Sequence, residues 1–93
     1  MGWVLIVKIS EDEFFVIYSY SHDSDILDGT IKIDKSILNS ENEKKIFRNF
    51  VEIKDSATDK NSFFAMRAAS GICLKIYRGE ILEFPERHMF AWG

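Results

Sequence analysis

The sequence predicts an α+β fold, in which one long helix at about residues 59–79 packs on one face of a mostly antiparallel sheet of four or five strands. Two observations predict it. Residues 59–79 repeat apolar side chains at helical spacing. The other apolar segments are short and suit strands, and residues 30–34 alternate apolar with polar side chains. The predicted order is β-β-β-β-α-β, within a single domain spanning residues 1–93.

Composition is consistent with one folded core in a cytoplasmic protein. Apolar residues are 46% of the chain and aromatic residues 14%, more than a disordered chain contains. The single cysteine, Cys73, cannot form an internal disulfide, which is typical of a reducing compartment. The apolar start is interrupted by Lys8 too early for a signal peptide, and no run is long enough to span a bilayer. We therefore expect no membrane association.

Charge is divided unevenly along the chain. The net charge is −3, but residues 1–43 hold nine acidic and three basic residues, and residues 44–93 hold six acidic and nine basic ones. A mildly acidic total argues against general nucleic-acid binding, which usually needs a strongly basic face. It leaves room for a local basic patch in the second half.

The predicted strands follow from apolar patterning. Residues 3–9 are apolar on both faces, which predicts an interior strand covered at least partly on both sides. Residues 14–20 follow after a short acidic turn, so the two strands should form an antiparallel hairpin. Residues 30–34 alternate as a half-exposed strand, and residues 88–92 form the last one. We expect the helix to return the chain so that this last strand lies beside the first.

Residues 41–53 fit two alternatives. Ser40–Glu43 resembles a capping box that would open a helix running to Phe50. Alternatively, a loop leads into a fourth strand over residues 46–53, and its Phe, Val and Ile residues favour this second interpretation.

The predicted helix has two different faces. One is apolar and should pack on the sheet; it contains Ala65, Met66, Ala69, Ile72, Cys73, Ile76 and Tyr77. The opposite face should carry a basic stripe to solvent, and contains Lys60, Arg67, Gly71, Lys75 and Arg78. Asp59 or Thr58 can cap the first turn, and Gly79 suits the left-handed residue that ends a helix.

No motif assigns a catalytic residue, a metal or a cofactor. Asp23, Asp25 and Asp28 resemble a calcium loop, but their spacing departs from that pattern and the closing glutamate is missing. His22 and His88 could act in acid–base chemistry only beside a carboxylate, and nothing in the sequence brings them together. A small enzyme using either histidine is therefore the least favoured interpretation.

The favoured functional hypothesis rests on the number of aromatic residues, which is large for one small core. One helix can cover only one face of the sheet, so the other should expose Phe15, Ile17 and alternate residues of the first strand, unless residues 35–45 or 80–87 cover it. We expect a small non-catalytic module that binds a protein partner or a second copy of itself. The expected contact residues are Tyr18, Tyr20, Phe90 and Trp92.

Two further hypotheses concern charge. An inhibitor-like or immunity-like role against a basic partner would use Asp23, Asp25 and Asp28 to steer association. The alternative from a different class is a nucleic-acid-binding domain that uses the basic stripe of the helix. Its residues would be Lys60, Arg67, Lys75 and Arg78.

Overall fold

Five antiparallel strands and one helix make up the fold, which confirms the predicted α+β class. A computed structural model describes residues 2–38 and 47–92. The strands are β1 (Gly2–Glu11), β2 (Phe15–His22), β3 (Gly29–Asp34), β4 (Val51–Lys54) and β5 (Arg87–Trp92). The helix α1 spans Phe63–Tyr77 and packs on one face of a sheet of order β4-β3-β2-β1-β5.

Local signals in the sequence position the strands. The Asp12 carboxylate accepts hydrogen bonds from the amides of Phe14 and Phe15, at 2.7 and 2.8 Å, and closes the hairpin between β1 and β2. The helix then carries the chain across the sheet, and β5 pairs antiparallel to β1 with Val4 opposite Phe90. The predicted return of the last strand to the first is confirmed.

The helix is shorter at both ends than the predicted range of 59–79. Asn61 and Ser62 have left-handed φ values of 58° and 59°, so the chain turns once more before the helix begins. The Asp59 carboxylate, from outside the helix, accepts hydrogen bonds from the amides of Phe64 and Ala65, both at 3.0 Å. It thus caps the first turn as expected. Gly79, at φ 76°, follows the last turn as predicted.

The ambiguous segment divides into two elements. Phe47–Phe50 form a single 3₁₀ turn, and β4 begins only at Val51. The favoured strand over residues 46–53 is therefore too long at its start, and the alternative helix running to Phe50 is matched in the described residues only by this one 3₁₀ turn. The Ser40–Glu43 capping box lies outside the described residues. Val51 and Ile53 pack against the core, because alternate residues of β4 face the helix.

The core lies between the helix and one face of the sheet. Tyr18 and Tyr20 of β2 are fully buried there, together with the small side chains Ala65, Ala68 and Ala69 of α1. Small residues on the helix leave room for the large rings beneath it. Some positions differ from prediction, among them Met66, which is half-buried and lies outside the core. Tyr77 is 58% exposed because it ends the helix. Gly71 faces the sheet, where an added Cβ would lie 2.9 Å from the Phe90 ring.

Both segments that were candidate covers for the second face pack on the helix side instead. Ile37 and Leu38 join the core, and Phe84 is only 3% exposed. The hydroxyl of Tyr18 donates a 2.7 Å hydrogen bond to the carbonyl of Pro85, which fixes this segment at the edge of the core. Residues 39–45 lie outside the described part, so this result concerns residues 35–38 and 80–87.

Candidate functional site

Strand pairing defines the face of the sheet that the helix does not cover. Leu5 pairs with Ser21 and with Met89, and Ile17 pairs with Lys32. None of these residues belongs to the core beneath the helix. We call this surface the open face. Its apolar members are Trp3, Leu5, Val7, Phe15, Ile17 and Met89.

The open face is apolar at β1 and β5 and charged at β3 and β4. Met89 is 60% exposed, and the other apolar members are half-buried by their neighbours in the sheet. Lys32 and Glu52 lie opposite each other on β3 and β4. The ammonium group of Lys32 lies 4.3 Å from the centre of the Phe15 ring, a cation–π contact. The placement of Phe15, Ile17 and alternate β1 residues on this face agrees with prediction.

Serines separate the two apolar strips of the open face. The Ser19 hydroxyl donates a 3.3 Å hydrogen bond to the carbonyl of Val7. Ser21 is fully buried, and its hydroxyl has no hydrogen-bond partner in the described part of the chain. These small side chains of β2 lower the surface between Leu5 on β1 and the charged residues of β3.

Tyr18 and Tyr20 do not contribute to the open face, which corrects the predicted contact residues. Both are fully buried under the helix, and burial raises the pKa of each phenol well above its usual range. The Tyr20 hydroxyl donates to the Asp59 carboxylate at 2.7 Å and accepts from the amide of Ser56 at 2.9 Å. Their hydroxyl groups make hydrogen bonds within the chain and are not accessible to another protein.

Phe90 differs from the prediction in the same way, whereas the contact role of Trp92 stays a prediction. Phe90 pairs with Val4 on the helix-covered face, where its ring meets His88 edge to face at 4.5 Å between centres. Trp92 pairs with Gly2 at the end of β5, and its side chain lies outside the described part. Met89 and Trp3, which the sequence interpretation did not select as contact residues, lie on the open face. Strand alternation with the register between β1 and β5 is the signal that identifies them.

The acidic loop is fastened to the rest of the molecule by two of its three carboxylates. Asp23 accepts a 2.8 Å hydrogen bond from the amide of Trp3, and Asp28 accepts one of 3.1 Å from the amide of Ala57. Hydrogen bonds from Ser56 and Ala57 lower the pKa of Asp28 below its usual value. Asp25 is exposed on the same loop. Steering by all three carboxylates stays a prediction.

The two histidines lie on the covered face, on opposite sides of β1. Nδ1 of His22 is 3.1 Å from the carbonyl of Thr58, and a carbonyl only accepts, so Nδ1 carries a proton. Nε2 is buried 3.3 Å from the Asp23 carboxylate, at an angle that misses a hydrogen bond. Burial, and secondly the charge of Lys75, lower the pKa of His88. None of the four main depressions of the described surface is lined by a histidine.

The basic stripe is divided by the structure. Lys60 and Arg67 line one groove beside the start of α1, together with Arg48 from the 3₁₀ turn, which the sequence interpretation missed. Lys75 is half-buried near His88, and Arg78 follows the helix at its far end. Arg48 is distant in sequence from the helix, so only the tertiary fold brings it to the groove.

The remaining reactive groups take part in packing or ion pairing. Burial raises the pKa of the Cys73 thiol to about 12. Hydrogen bonds from Lys35 and then Lys8 lower the pKa of Glu11. Among residues 2–38 and 47–92, no three His, Cys, Asp or Glu side chains converge as a metal site would require. The described helices include none with the length and apolarity to cross a bilayer.

These features define a class: an α+β domain with a helix on one side of its sheet and an apolar, unevenly charged face on the other. The open face and the groove beside α1 are its two candidate sites. No protein-family model matches this chain, and no curated protein or solved structure is significantly similar to it. Function therefore has to be argued from these two surfaces.

Proposed function

We propose that this chain is a small non-catalytic interaction module that self-associates through the open face. The observation that carries the proposal is the strip of Trp3, Leu5, Val7 and Met89 on β1 and β5, which lies on the side of the sheet away from the helix: Met89 is 60% exposed and the other three are partly exposed. Contiguous apolar surface of this kind on a small protein usually marks an interface.

Charge favours a second copy as the occupant. Lys32 and Lys54 lie on the open face beside Glu52, so the charged strip has both signs within two neighbouring strands. Such a surface selects neither a strongly basic nor a strongly acidic partner. A two-fold axis brings each side chain of one surface opposite the same surface of its partner, so a mixed-sign strip can pair with itself.

The area of the open face indicates how strongly two copies can associate. Five strands about 4.8 Å apart and about six residues long give a projected face of roughly 500 Å². Stable complexes bury about 800 Å² of accessible surface per partner. The open face is smaller than that value, so we expect a weak dimer with a dissociation constant on the order of micromolar.

Sedimentation equilibrium between about 1 μM and about 500 μM tests the proposal, because a micromolar dimer converts to monomer across that range. The variant Met89→Lys places a charge at the centre of the strip and should shift the dissociation constant at least about tenfold. A matched control is Tyr77→Lys, since Tyr77 is 58% exposed but lies at the end of the helix.

The two variants separate the open face from the other exposed apolar groups. Unchanged association in Tyr77→Lys with loss in Met89→Lys supports the proposal. A strict monomer at the highest concentration would overturn self-association. Equal loss in both variants would also overturn it, because the contact surface would then lie elsewhere.

A further inference from the structure

The groove beside the start of α1 is the strongest feature that the open face leaves unused. It is an open depression of about 770 Å³ between the 3₁₀ turn and the first half of the helix. Three cationic side chains line it: Arg48, Lys60 and Arg67. None of the described lining residues is acidic. A chain of net charge −3 thus has a locally basic surface here.

One lining residue is an aromatic ring with an exposed surface. Phe63 is 57% exposed, and its ring meets Phe64 edge to face at 5.0 Å between centres and 88° between planes. Phe64 is itself stacked on the buried His22 ring, at 3.6 Å and 15°. The exposed Phe63 ring therefore contacts a half-buried ring that is stacked on buried His22, and the rest of its surface is free to face the groove.

We propose that this groove binds single-stranded nucleic acid, with Arg48, Lys60 and Arg67 contacting phosphates and Phe63 stacking on a base. Positive charge by itself fits an acidic peptide equally well. The anchored ring favours a nucleic acid, because every base offers a flat π surface and an acidic peptide segment offers none. Apolar groups beside the ring, Phe47 and Met66, extend the surface on which a base can lie.

The start of the helix supplies no additional anion contacts. The amides of Phe64 and Ala65, which could otherwise bind a phosphate, are already hydrogen-bonded to Asp59. Phosphate contacts must therefore come from the lysine and arginine side chains. Such contacts are insensitive to sequence and strongly sensitive to salt.

Fluorescence anisotropy with a labelled single-stranded DNA of mixed sequence, titrated at increasing salt, tests the proposal. Three neutralised phosphates at about 0.7 each predict a slope of about −2 for the logarithm of affinity against the logarithm of salt concentration. Lys60→Ala should weaken binding and reduce that slope by about 0.7. Arg78→Ala is the control, since Arg78 is an exposed cation that follows the far end of α1 and lies outside both the groove and the open face.

A second pair of variants tests the ring. Phe63→Ala should lower affinity by about tenfold at constant salt and leave the slope unchanged, because stacking involves no counterion release. Tyr77→Ala is its control, because Tyr77 is equally exposed but does not line the groove. Circular dichroism confirms that each variant is folded.

Three results would overturn the proposal. One is the absence of binding at low salt. Another is loss of affinity in Arg78→Ala equal to that in Lys60→Ala. The third is polyglutamate binding as tightly as DNA with no effect of Phe63→Ala, which would identify an acidic peptide as the occupant. The groove variants leave the open face unaltered, so self-association and nucleic-acid binding succeed or fail independently.

Discussion

The two faces of the sheet differ in how many apolar residues they carry and in how completely those residues are buried: the covered face has more of them and buries them more fully. On the covered face, Tyr20 is fully buried and its hydroxyl makes two hydrogen bonds. On the open face, Met89 is 60% exposed and Phe15 is half-buried beneath a lysine. The covered face is thus completed within one chain, whereas the open face lacks a partner layer in the described structure.

This difference shows what kind of side chain each face requires. The covered face combines large rings on the sheet with alanines on the helix, because close packing of a helix requires small residues at the contact. It also satisfies every tyrosine hydroxyl it buries. The open face mixes apolar residues with serine, lysine and glutamate. Such a mixture can face water in a monomer and is also typical of a weak interface.

The largest expected effect is at the polar centre of the covered face. Asp59 is 4% exposed and accepts from two helix amides and the Tyr20 hydroxyl. Asp59→Ala leaves these buried donors without an acceptor and should lower the free energy of unfolding by about 4 kcal/mol. Urea denaturation measures it. Asp25→Ala, on the exposed loop, should change stability by less than about 0.5 kcal/mol; a similar loss in both variants would contradict this account.

The faces can be compared directly with two adjacent residues of β1. Ile6 is 2% exposed on the covered face, and Leu5 is half-buried on the open one. Ile6→Ala should lower the unfolding free energy by about 3 kcal/mol, because it leaves a cavity in the core. Leu5→Ala should cost the monomer about 1 kcal/mol and mainly weaken self-association. Equal destabilisation of dilute protein would show that the open face is covered after all.

Two glycines test how closely the covered face is packed. A Cβ at Gly29 would collide with the Tyr20 ring and lie 2.8 Å from the Ser56 amide nitrogen, so Gly29→Ala should cost about 2 kcal/mol. At Gly71 an added Cβ meets only the Phe90 ring at the edge of the core, and alanine favours the helix. Gly71→Ala should therefore change the free energy of unfolding, measured by thermal denaturation, by less than about 1 kcal/mol. A larger loss at Gly71 than at Gly29 would reverse this ranking.

The smallest effect concerns the charged rim of the covered face. Glu11 lies 2.8 Å from the Lys35 ammonium and 2.6 Å from that of Lys8, and these bonds lower its pKa. Because the folded pKa lies below the unfolded one, this stabilisation is present at neutral pH and is lost as pH falls through the acidic range. Glu11→Gln should lower stability at pH 7 by about 1 kcal/mol and flatten its acid dependence.

Glu13→Gln, an exposed change in the same turn, is the control for that measurement. Denaturation midpoints at several pH values between neutrality and mild acid report both variants. An acid dependence in Glu11→Gln as steep as in the parent chain would show that the ion pairs with Lys8 and Lys35 contribute nothing measurable.

The sequence by itself determined the element order, the helix and the cap at Asp59, because these depend on local spacing and hydrogen bonding. It also indicated that a single helix would cover only one of the two faces of the sheet. Alternation divided the β2 residues correctly into two sets, Val16 with Tyr18 and Tyr20, and Phe15 with Ile17.

Only the tertiary structure decided which of those sets the helix covers. Strand alternation is symmetric between the two faces, so the choice depends on how the alanines of α1 fit over the tyrosine rings and on partners for the hydroxyls. The same holds for the groove, where Arg48 joins Lys60 and Arg67 across a long separation in sequence. Both candidate sites thus arise from packing between distant segments, which local patterns do not specify.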